Sequence, residues 1–207
     1  QFIKRIKMMQ NNWPNAKFIA YFQARTNTYA DVDTLKKYFE PFINNKDCVG
    51  LAIATRSDSI SDSCLDYLES ISKRCYLQVE LGLQSSKKET LKLINRGETV
   101  KEFETMVNKL RARNINVVVH IINGLPYETD NDMLDTVKYL NKLDIQGIKI
   151  HMLHILKDTP LEIMYKNHPF KVLTKDEYVN ITVKQLTYLR KEIVIHRITG
   201  YPKKEDL

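Results

Sequence analysis

Polar side chains stand at the carboxyl ends of several apolar segments of this chain. These residues are Thr26, Asn27, Arg56, Glu80, Gln84, His120, His151 and His154. In parallel α/β folds, ligands bind beyond the carboxyl ends of the strands. A buried polar group that lacks a partner costs about 1–3 kcal/mol. Polar residues at five strand ends therefore favour one shared polar site for a small molecule.

Each of these residues taken alone also has a simpler interpretation. Glu80 can be a structural carboxylate that pairs with a lysine, and His120 can be a core histidine whose hydrogen bonds are satisfied. The segment Gly124–Pro126 can be only a turn. The convergence of several polar strand ends, rather than any one of them, favours a binding site.

The elements that must position these residues follow from hydrophobic periodicity. The predicted strands are Lys17–Phe22, Val49–Ala54, Tyr76–Leu83, Asn116–Ile122, Gly147–Leu153 and Ile193–Ile195. The predicted helices are Val32–Ile43, Ser61–Ser72, Ser85 or Ser86 to Ile94, Thr99–Arg113, Asp130 or Asn131 to about Leu143, and Lys175–Arg190. The residues expected to cap the first two of these helices are Asp31 and either Ser61 or Asp62.

A helix follows nearly every strand, which is typical of βαβ units and a parallel sheet. Most of the strands are continuous apolar runs, as expected for strands that are buried on both faces. No linker divides the chain, so residues 1–207 are expected to form one domain. Six strands are too few for a closed eight-stranded barrel, which leaves a partial barrel or an open doubly wound sheet.

Several chemistries are disfavoured because their motifs are missing from the 207 residues. There is no glycine-rich dinucleotide fingerprint, no phosphate-binding loop and no serine-hydrolase elbow. Cys48, Cys64 and Cys75 match no zinc or iron–sulfur spacing. An odd number of cysteines without a secretion signal suggests reduced thiols and a cytoplasmic location.

The charge balance indicates the kind of partner. Lysine and arginine exceed aspartate and glutamate by seven, which gives a formal net charge of +7. Such a charge favours anionic partners, for example nucleic acid or a phosphorylated cofactor, although a generic basic surface is the simpler and preferred interpretation. No apolar run approaches the roughly 20 residues that a membrane helix requires, so no membrane association is expected.

Several segments, in order and at fitting intervals, resemble the radical S-adenosylmethionine superfamily and its YhcC/YtqA-like subgroup of iron–sulfur oxidoreductases. The segments that carry the resemblance most clearly are 80–85 (ELGLQS), 89–97 (ETLKLINRG) and 120–129 (HIINGLPYET). Further support comes from 21–30 (YFQARTNTYA), 54–58 (ATRSD), 146–151 (QGIKIH) and 195–200 (IHRITG). The resemblance covers essentially the whole chain.

This resemblance implies a partial (β/α)₆ TIM-like barrel, with a parallel sheet and outer helices. It also implies an enzyme that cleaves S-adenosylmethionine reductively with a [4Fe–4S] cluster and abstracts hydrogen from its substrate. The family's cluster-binding motif, Cys-x-x-x-Cys-x-x-Cys, does not occur here, and no metal ligands are expected. Lys17–Phe22 would be the second barrel strand. The chain is therefore interpreted as a core domain that lacks the first strand and the cluster loop, and it is expected to be inactive on its own.

The resemblance also implies roles for residues that match the family's motifs. The family's segment that meets the methionine amino group falls on Gln23–Thr26, where the usual glycines are absent, and Thr26 and Asn27 are expected to be its hydrogen-bond partners. Gln84 and Arg96 match polar residues of the family's site, and the arginine fork suits the methionine carboxylate. Spacing alone also allows Arg96 to be a charge at a helix C-terminus. His120 matches the residue that reaches the ribose.

Four further residues are assigned to the same site on the resemblance. His151 and Leu153 are expected near the adenine, and Glu80 and Arg56 are candidates for contacts with the substrate. The substrate itself is not identified, and RNA remains one possibility. The alternatives are a non-catalytic domain that binds RNA or nucleotides and a phosphosugar-binding α/β enzyme. An uncovered parallel edge strand would also favour self-association.

Overall fold

The structure is a computed structural model that describes residues 2–23 and 25–200; within the first helix it describes the side chains of Ile6 and of Met8 onward. Gln1, Ala24 and residues 201–207 lie outside the described residues, so the predicted Gln23–Thr26 segment and the 1–207 domain are described only in part. The helices in this part of the chain are α1 (Phe2–Asn12), α2 (Val32–Ile43), α3 (Asp62–Ser72), α4 (Lys88–Leu93), α5 (Val100–Arg111), α6 (Asp130–Leu140), α7 (Pro160–Asn167) and α8 (Lys175–Tyr188). The strands are β1 (Phe18–Phe22), β2 (Cys48–Thr55), β3 (Tyr76–Gln84), β4 (Asn116–Asn123), β5 (Gly147–Met152) and β6 (Val194–Arg197).

The described strands form one six-stranded sheet in the order β1-β2-β3-β4-β5-β6. Every neighbouring pair is parallel. A doubly wound sheet reverses its strand order at a switch point, and this sheet does not. Right-handed crossovers between consecutive parallel strands place the helices on one face. The fold is therefore the predicted partial barrel, a curled half-barrel with outer helices, and the doubly wound alternative is wrong.

The core lies between the convex face of the sheet and the helices. Helices α2, α3 and α5 pack on β2, β3 and β4. The strands contribute alternate residues to this core, and the fully buried ones include Ile53, Val79, Leu81, Val119 and Ile121. The other alternate residues of the same strands therefore face the concave side, where the polar site lies.

Most helix starts follow the sequence prediction, because a side-chain oxygen is available at the correct position. Asp31 and Ser61 cap α2 and α3 as predicted. Helix α6 begins at Asp130, as predicted, and Thr129 caps it through a capping box with Asp132. One expected start is wrong. Helix α4 begins after Lys87, which makes no side-chain cap bond.

The serines expected to cap α4 have other partners. Ser85 accepts a hydrogen bond from the backbone amide of Lys87 and donates one to Glu128. The amide of Ser86 donates to Thr136 on α6. Helix α7, which starts after the Thr159 cap with Pro160 in its first turn, was missed because it contributes no fully buried residue to the core.

Candidate functional site

Glu80 is the centre of a buried hydrogen-bond network on the concave face. It lies in the middle of β3, and its side chain is only 1% exposed. Its carboxylate accepts hydrogen bonds from Oη of Tyr21 at 2.7 Å and from Nε2 of Gln78 at 2.8 Å. Both of its oxygens also accept from Nζ of Lys149, at 2.8 and 2.7 Å. The network therefore joins β1, β3 and β5 across the inside of the half-barrel.

The protonation state of Glu80 follows from these contacts. Burial raises the pKa of a carboxylic acid, because the charged form loses its hydration. At Glu80 the hydrogen bonds from His120, Lys149 and Tyr21 outweigh burial and lower the pKa to about 2. Glu80 is therefore a fixed anion at neutral pH and is unsuited to act as a general acid.

Two stacked histidines extend the network toward the strand ends. Nε2 of His120 lies 2.7 Å from Oε2 of Glu80, and its Nδ1 lies 3.3 Å from Nε2 of His151. The ring centroids are 5.2 Å apart, with 25° between the ring planes. Burial lowers the pKa of His151 to about 4, and repulsion from His120, Arg197 and Lys149 adds to that effect. The contact between the rings requires one facing nitrogen to be unprotonated, which a neutral His151 satisfies.

Tyr21 is the member of the network nearest the open side of the half-barrel. Its hydroxyl accepts a hydrogen bond from Nζ of Lys149 at 3.0 Å, and the ammonium lies 4.5 Å from the ring centroid. Burial and the hydrogen bond to Glu80 raise its pKa, so the phenol stays protonated. The residue remains 39% exposed, so part of it is accessible to solvent.

At the carboxyl end of β3, Gln84 and Arg96 meet above Gly82. Nη2 of Arg96 donates to the carbonyl of Gly82 at 2.6 Å. A Cβ atom at Gly82 would collide with Nε2 of Gln84 and lie 3.3 Å from Nη2 of Arg96. Gly82 is also the cross-strand partner of His120 on β4. Gln84, Arg96 and His120 are therefore brought to neighbouring positions at one end of the sheet, as the sequence predicts.

We call Gln84, Arg96 and His120 the rim of the site. Two observations on the rim are relevant to ligand binding. Gln84 has a φ of 68°, an uncommon conformation for a residue with a side chain. The side-chain amide of Gln84 makes no hydrogen bond within the part of the chain that the structure describes. Arg96 forms a buried ion pair with Glu98, which also accepts from the Ser57 hydroxyl. Only Nε of the guanidinium is buried without a partner among the described residues.

The ion pair changes what Arg96 can do. Glu98 already balances its charge, so an incoming carboxylate would share the guanidinium with Glu98 or displace it. Arg56 is also neutralised, since Asp58 accepts from its Nε at 2.8 Å and from its Nη2 at 2.5 Å. Arg56 lies next to Gly97, where an added Cβ would be 3.3 Å from its Nη2. It therefore flanks the rim rather than the Glu80 network.

The loop after β1 contains Thr26 and Asn27. Nδ2 of Asn27 donates to the carbonyls of Phe22 at 3.1 Å and Ala54 at 2.8 Å, which ties the ends of β1 and β2 together. Thr26 lines a small cavity of about 210 Å³ between this loop and α2. The observed role of Asn27 is structural, and only its Oδ1 remains for a ligand.

Hydrogen bonds fix the positions of Leu153 and His154, which follow β5. The amide of Leu153 donates to the carbonyl of Asn123 at the end of β4, at 2.9 Å. Nε2 of His154 contacts the carbonyl of Gly200 at 3.1 Å. Leu153 is thus at the same end of the sheet as His151, but it belongs to the edge of the site and not to the hydrogen-bond network.

Sequence reasoning missed the residues that complete the Glu80 network, namely Tyr21, Gln78 and Lys149. A signal for Lys149 was available, because it is a single charged residue in the middle of an apolar strand and such residues are almost never buried unpaired. Its partner is Glu80, so the simpler interpretation of that residue as a carboxylate paired with a lysine is correct. The pairing of Glu80 with Lys149 does not by itself exclude the binding of a ligand at the concave face.

No cluster-binding set is present among the residues that the structure describes. None of the His, Cys, Asp and Glu side chains in residues 2–23 and 25–200 form a group that could hold a metal ion. Cys48 and Cys64 are buried on different elements, and Cys75 is partly buried. Burial raises the pKa of Cys64 to about 11, which disfavours the thiolate that metal binding requires. These residues do not fit a [4Fe–4S] cluster.

Within residues 2–23 and 25–200, no helix is both long and apolar enough to span a bilayer.

The fold and the concave polar face define a TIM-like half-barrel protein with a polar site inside the barrel. The sequence pattern of the Radical SAM superfamily matches residues 1–140, and that of the Radical_SAM C-terminal domain matches residues 145–207. The chain belongs to the Radical SAM superfamily.

Two curated proteins and one solved structure are similar to this chain. The uncharacterized protein YtqA of Bacillus subtilis is 46% identical over 192 residues, which is 93% of this chain and 60% of YtqA. A tRNA uridine(34) acetyltransferase of Methanocaldococcus infernus is 28% identical over 137 residues, or 65% of this chain and 25% of that protein. The solved structure of the archaeal Methanocaldococcus infernus Elp3 with an N-terminal deletion has the same fold, with a TM-score of 0.86 and 20% identity over 99% of this chain and 53% of that one. The chain therefore spans about 60% of the length of YtqA.

Proposed function

We propose that this chain is the core of a radical SAM enzyme which, in the intact protein, cleaves S-adenosylmethionine with a [4Fe–4S] cluster and abstracts hydrogen from a substrate. S-adenosylmethionine, when bound beside a reduced cluster, would supply the radical. The observation that carries the proposal is the convergence of Gln84 and Arg96 over Gly82, beside His120, at one end of a half-barrel of this family. The chain alone is proposed to be inactive, because its described residues offer no ligands to the cluster.

The rim residues would bind the cofactor through groups that are still available. The Gln84 amide can both donate and accept, and Nε of Arg96 is a buried donor without a partner among the described residues. Nε2 of His120 is bonded to Glu80 and its Nδ1 contacts His151, so a ribose hydroxyl would have to share Nδ1 with His151 or displace it. Thr26 and the Oδ1 atom of Asn27 are proposed to complete the site near the methionine.

His151 and Leu153 are proposed to lie near the adenine. The Glu80 network would form the floor on the substrate side. Because Glu80 stays ionised, its part is to hold the Lys149 ammonium and the Tyr21 phenol in place. Because the Tyr21 hydroxyl and the Lys149 ammonium already donate within the network, they would offer a substrate a fixed polar surface rather than free donors. Arg56 with its Asp58 partner would flank the entrance.

The test of the proposal is the affinity for S-adenosylmethionine, measured by equilibrium dialysis up to millimolar concentration since the chain alone is expected to bind weakly. Gln84→Ala removes one rim group without exposing a buried charge, and Arg96→Lys keeps the charge but not the fork. Each change is expected to weaken binding by roughly ten-fold, the equivalent of one good hydrogen bond.

A matched control is Arg113→Lys, since Arg113 lies beyond α5 on the convex side and pairs with Asp66. Its affinity is expected to equal that of the unchanged protein. The proposed site would be wrong if Gln84→Ala and Arg96→Lys bound S-adenosylmethionine as tightly as this control.

A second candidate function is RNA binding. It is favoured by the net charge of +7 and by similarity to a relative whose name describes action on tRNA. If RNA is the partner, the affinity should fall linearly with the logarithm of salt concentration, with a slope set by the number of phosphates contacted. An affinity for RNA that is independent of salt would count against this candidate.

We also propose a cytoplasmic location. The three cysteines are free thiols rather than disulfides, and free thiols persist in reducing compartments. Fractionation of cells followed by immunodetection would test the location, and recovery in an extracytoplasmic fraction would overturn it.

A further inference from the structure

Strand β6 brings two basic side chains to the open side of the concave face. Its pairing with β5 shifts register, so that Ile148 pairs with Ile195 while Lys149 pairs with Arg197. His196 is therefore an extra residue on the β6 side. Such a bulge re-aims the side chains next to it, and bulges are common beside functional sites.

The position of His196 follows from its contact with Gly147. A Cβ atom at Gly147 would lie 2.6 Å from both Cδ2 and Nε2 of His196. The imidazole therefore covers the backbone of β5 at a position where only glycine leaves room. Gly147 comes two residues before Lys149 on the same strand, so the ring lies on the same face as the ammonium.

The charge of Arg197 influences groups on the concave face, where Lys149 is its cross-strand partner. Burial and the hydrogen bond to Glu80 raise the pKa of Tyr21, and the positive charge of Arg197 works against this rise. The same charge adds to the effect of burial in lowering the pKa of His151. Both of these groups belong to the Glu80 network, so the guanidinium is close enough to influence the interior of the half-barrel.

The charges of this face do not balance. Glu80 is its one buried carboxylate among the described residues, and it is already bonded to Lys149. Within residues 2–23 and 25–200, no acidic side chain forms an ion pair with Arg197 or His196. Lys149 and Arg197 are cross-strand partners, and like charges at paired positions are destabilising. Within the described residues, the exposed Arg197 guanidinium is thus a positive charge without an acidic partner, which an anion can approach.

We propose that Arg197 and His196 form a subsite that binds an oxyanion of the substrate, supplied by a phosphate or a carboxylate group. The guanidinium offers a planar fork of donors, and an imidazole N–H adds a donor from a second direction. The subsite is built from β6, so it does not use Gln84 or Arg96. It deepens the proposed function by assigning a charge to the substrate.

The experiment is an NMR titration of the purified protein with sodium phosphate and, separately, with sodium acetate, at constant ionic strength and without S-adenosylmethionine. The imidazole signal of His196 is followed. A saturable shift of this signal is expected, and the anion that binds more tightly distinguishes a phosphate from a carboxylate source.

The deciding variant is Arg197→Gln, whose side chain is exposed and whose loss should leave the fold intact. It is expected to weaken anion binding by roughly ten-fold. Arg190→Gln is the control, because Arg190 lies before β6 and donates to the carbonyl of Leu143 at 2.9 Å. The absence of a saturable shift with either ion, or equal affinities for Arg197→Gln and the control, would overturn the subsite. Since S-adenosylmethionine is absent, either result leaves the rim proposal untouched.

Discussion

The ammonium group of Lys149 lies within 2.8 Å of both carboxylate oxygens of Glu80, although the two residues are 69 positions apart in the chain. The side chains are 9% and 1% exposed, so neither charge is solvated by bulk water. The strand between them, β4, contributes His120 to the same carboxylate. On the concave face, strands β3, β4 and β5 are therefore linked by charged side chains as well as by backbone hydrogen bonds.

Removing one partner of this pair should be costly. Glu80→Gln leaves the Lys149 ammonium buried and unpaired, and such changes typically lower the free energy of unfolding by about 3–5 kcal/mol. Urea denaturation followed by circular dichroism measures the loss. The double variant Glu80→Gln with Lys149→Met should recover much of it, because no uncompensated charge remains.

The matched control for that measurement is the exposed pair of Lys138 and Asp135 on α6. Asp135→Asn should change the free energy of unfolding by no more than about 1 kcal/mol, as is usual for surface pairs. A similar small change for Glu80→Gln would show that the pair is not an energetic centre of the fold.

The low pKa of Glu80 also predicts a pH dependence of stability. A carboxylate with a pKa of about 2 in the folded state and 4.5 as its ordinary value stabilises the fold above pH 4.5. That stabilisation, roughly 3 kcal/mol for a shift of this size, is lost as the pH falls from 4.5 toward 2. The difference in unfolding free energy between the unchanged protein and Glu80→Gln, measured from pH 7 to pH 3, isolates this contribution. A difference that stays constant over that range would mean that Glu80 does not titrate as described.

Much of the fold was predictable from sequence because its strands are short apolar runs separated by capped helices. Thr99 with Glu102 and Asp31 with Thr34 are local signals, and the structure places helix starts there. The strand order was not fully determined, since the same pattern allows a doubly wound sheet. The start of α4 was predicted wrongly because Ser85 bonds to Glu128, 43 residues away, and no local rule reveals that partner.

The site was predictable in part for a related reason. The polar strand ends Gln84 and His120 could be identified because they interrupt apolar runs, and their neighbouring positions follow from the parallel register. The partners of Glu80 could not be assigned, because Tyr21, His120 and Lys149 come from three other strands. The interaction of Arg96 with Glu98 was also hidden, since a pair two residues apart becomes buried only when the loop folds back on β3. The cofactor roles of these residues remain predictions.

Gly147 provides a test of the packing around His196. In Gly147→Ala, the new methyl group would lie 2.6 Å from the imidazole and 3.0 Å from Cγ2 of Val118. Either the ring moves or the strands separate, and overpacking of this kind costs about 1–3 kcal/mol. Thermal unfolding reports the loss. Gly200→Ala is the control, because among the described residues its methyl group would meet only Nδ1 of His151, at 3.4 Å. Equal stability of the two variants would mean that His196 does not lie against Gly147.

Asn27 should be a structural residue of the loop between β1 and α2, whatever its role toward a ligand. Its Nδ2 atom joins the carbonyls of Phe22 and Ala54, which belong to the ends of two paired strands. Asn27→Ala leaves these acceptors without that donor, and we expect a loss of about 1–3 kcal/mol. Because the bonds are local, the loss should appear as faster amide hydrogen exchange at residues 26–28, while exchange at β4 changes less. Asn108→Ala on the exposed face of α5 is the matched control and should leave exchange in the loop unchanged. If Asn27→Ala also left it unchanged, the amide of Asn27 would be free for the ligand, and the structural role assigned to it here would be wrong.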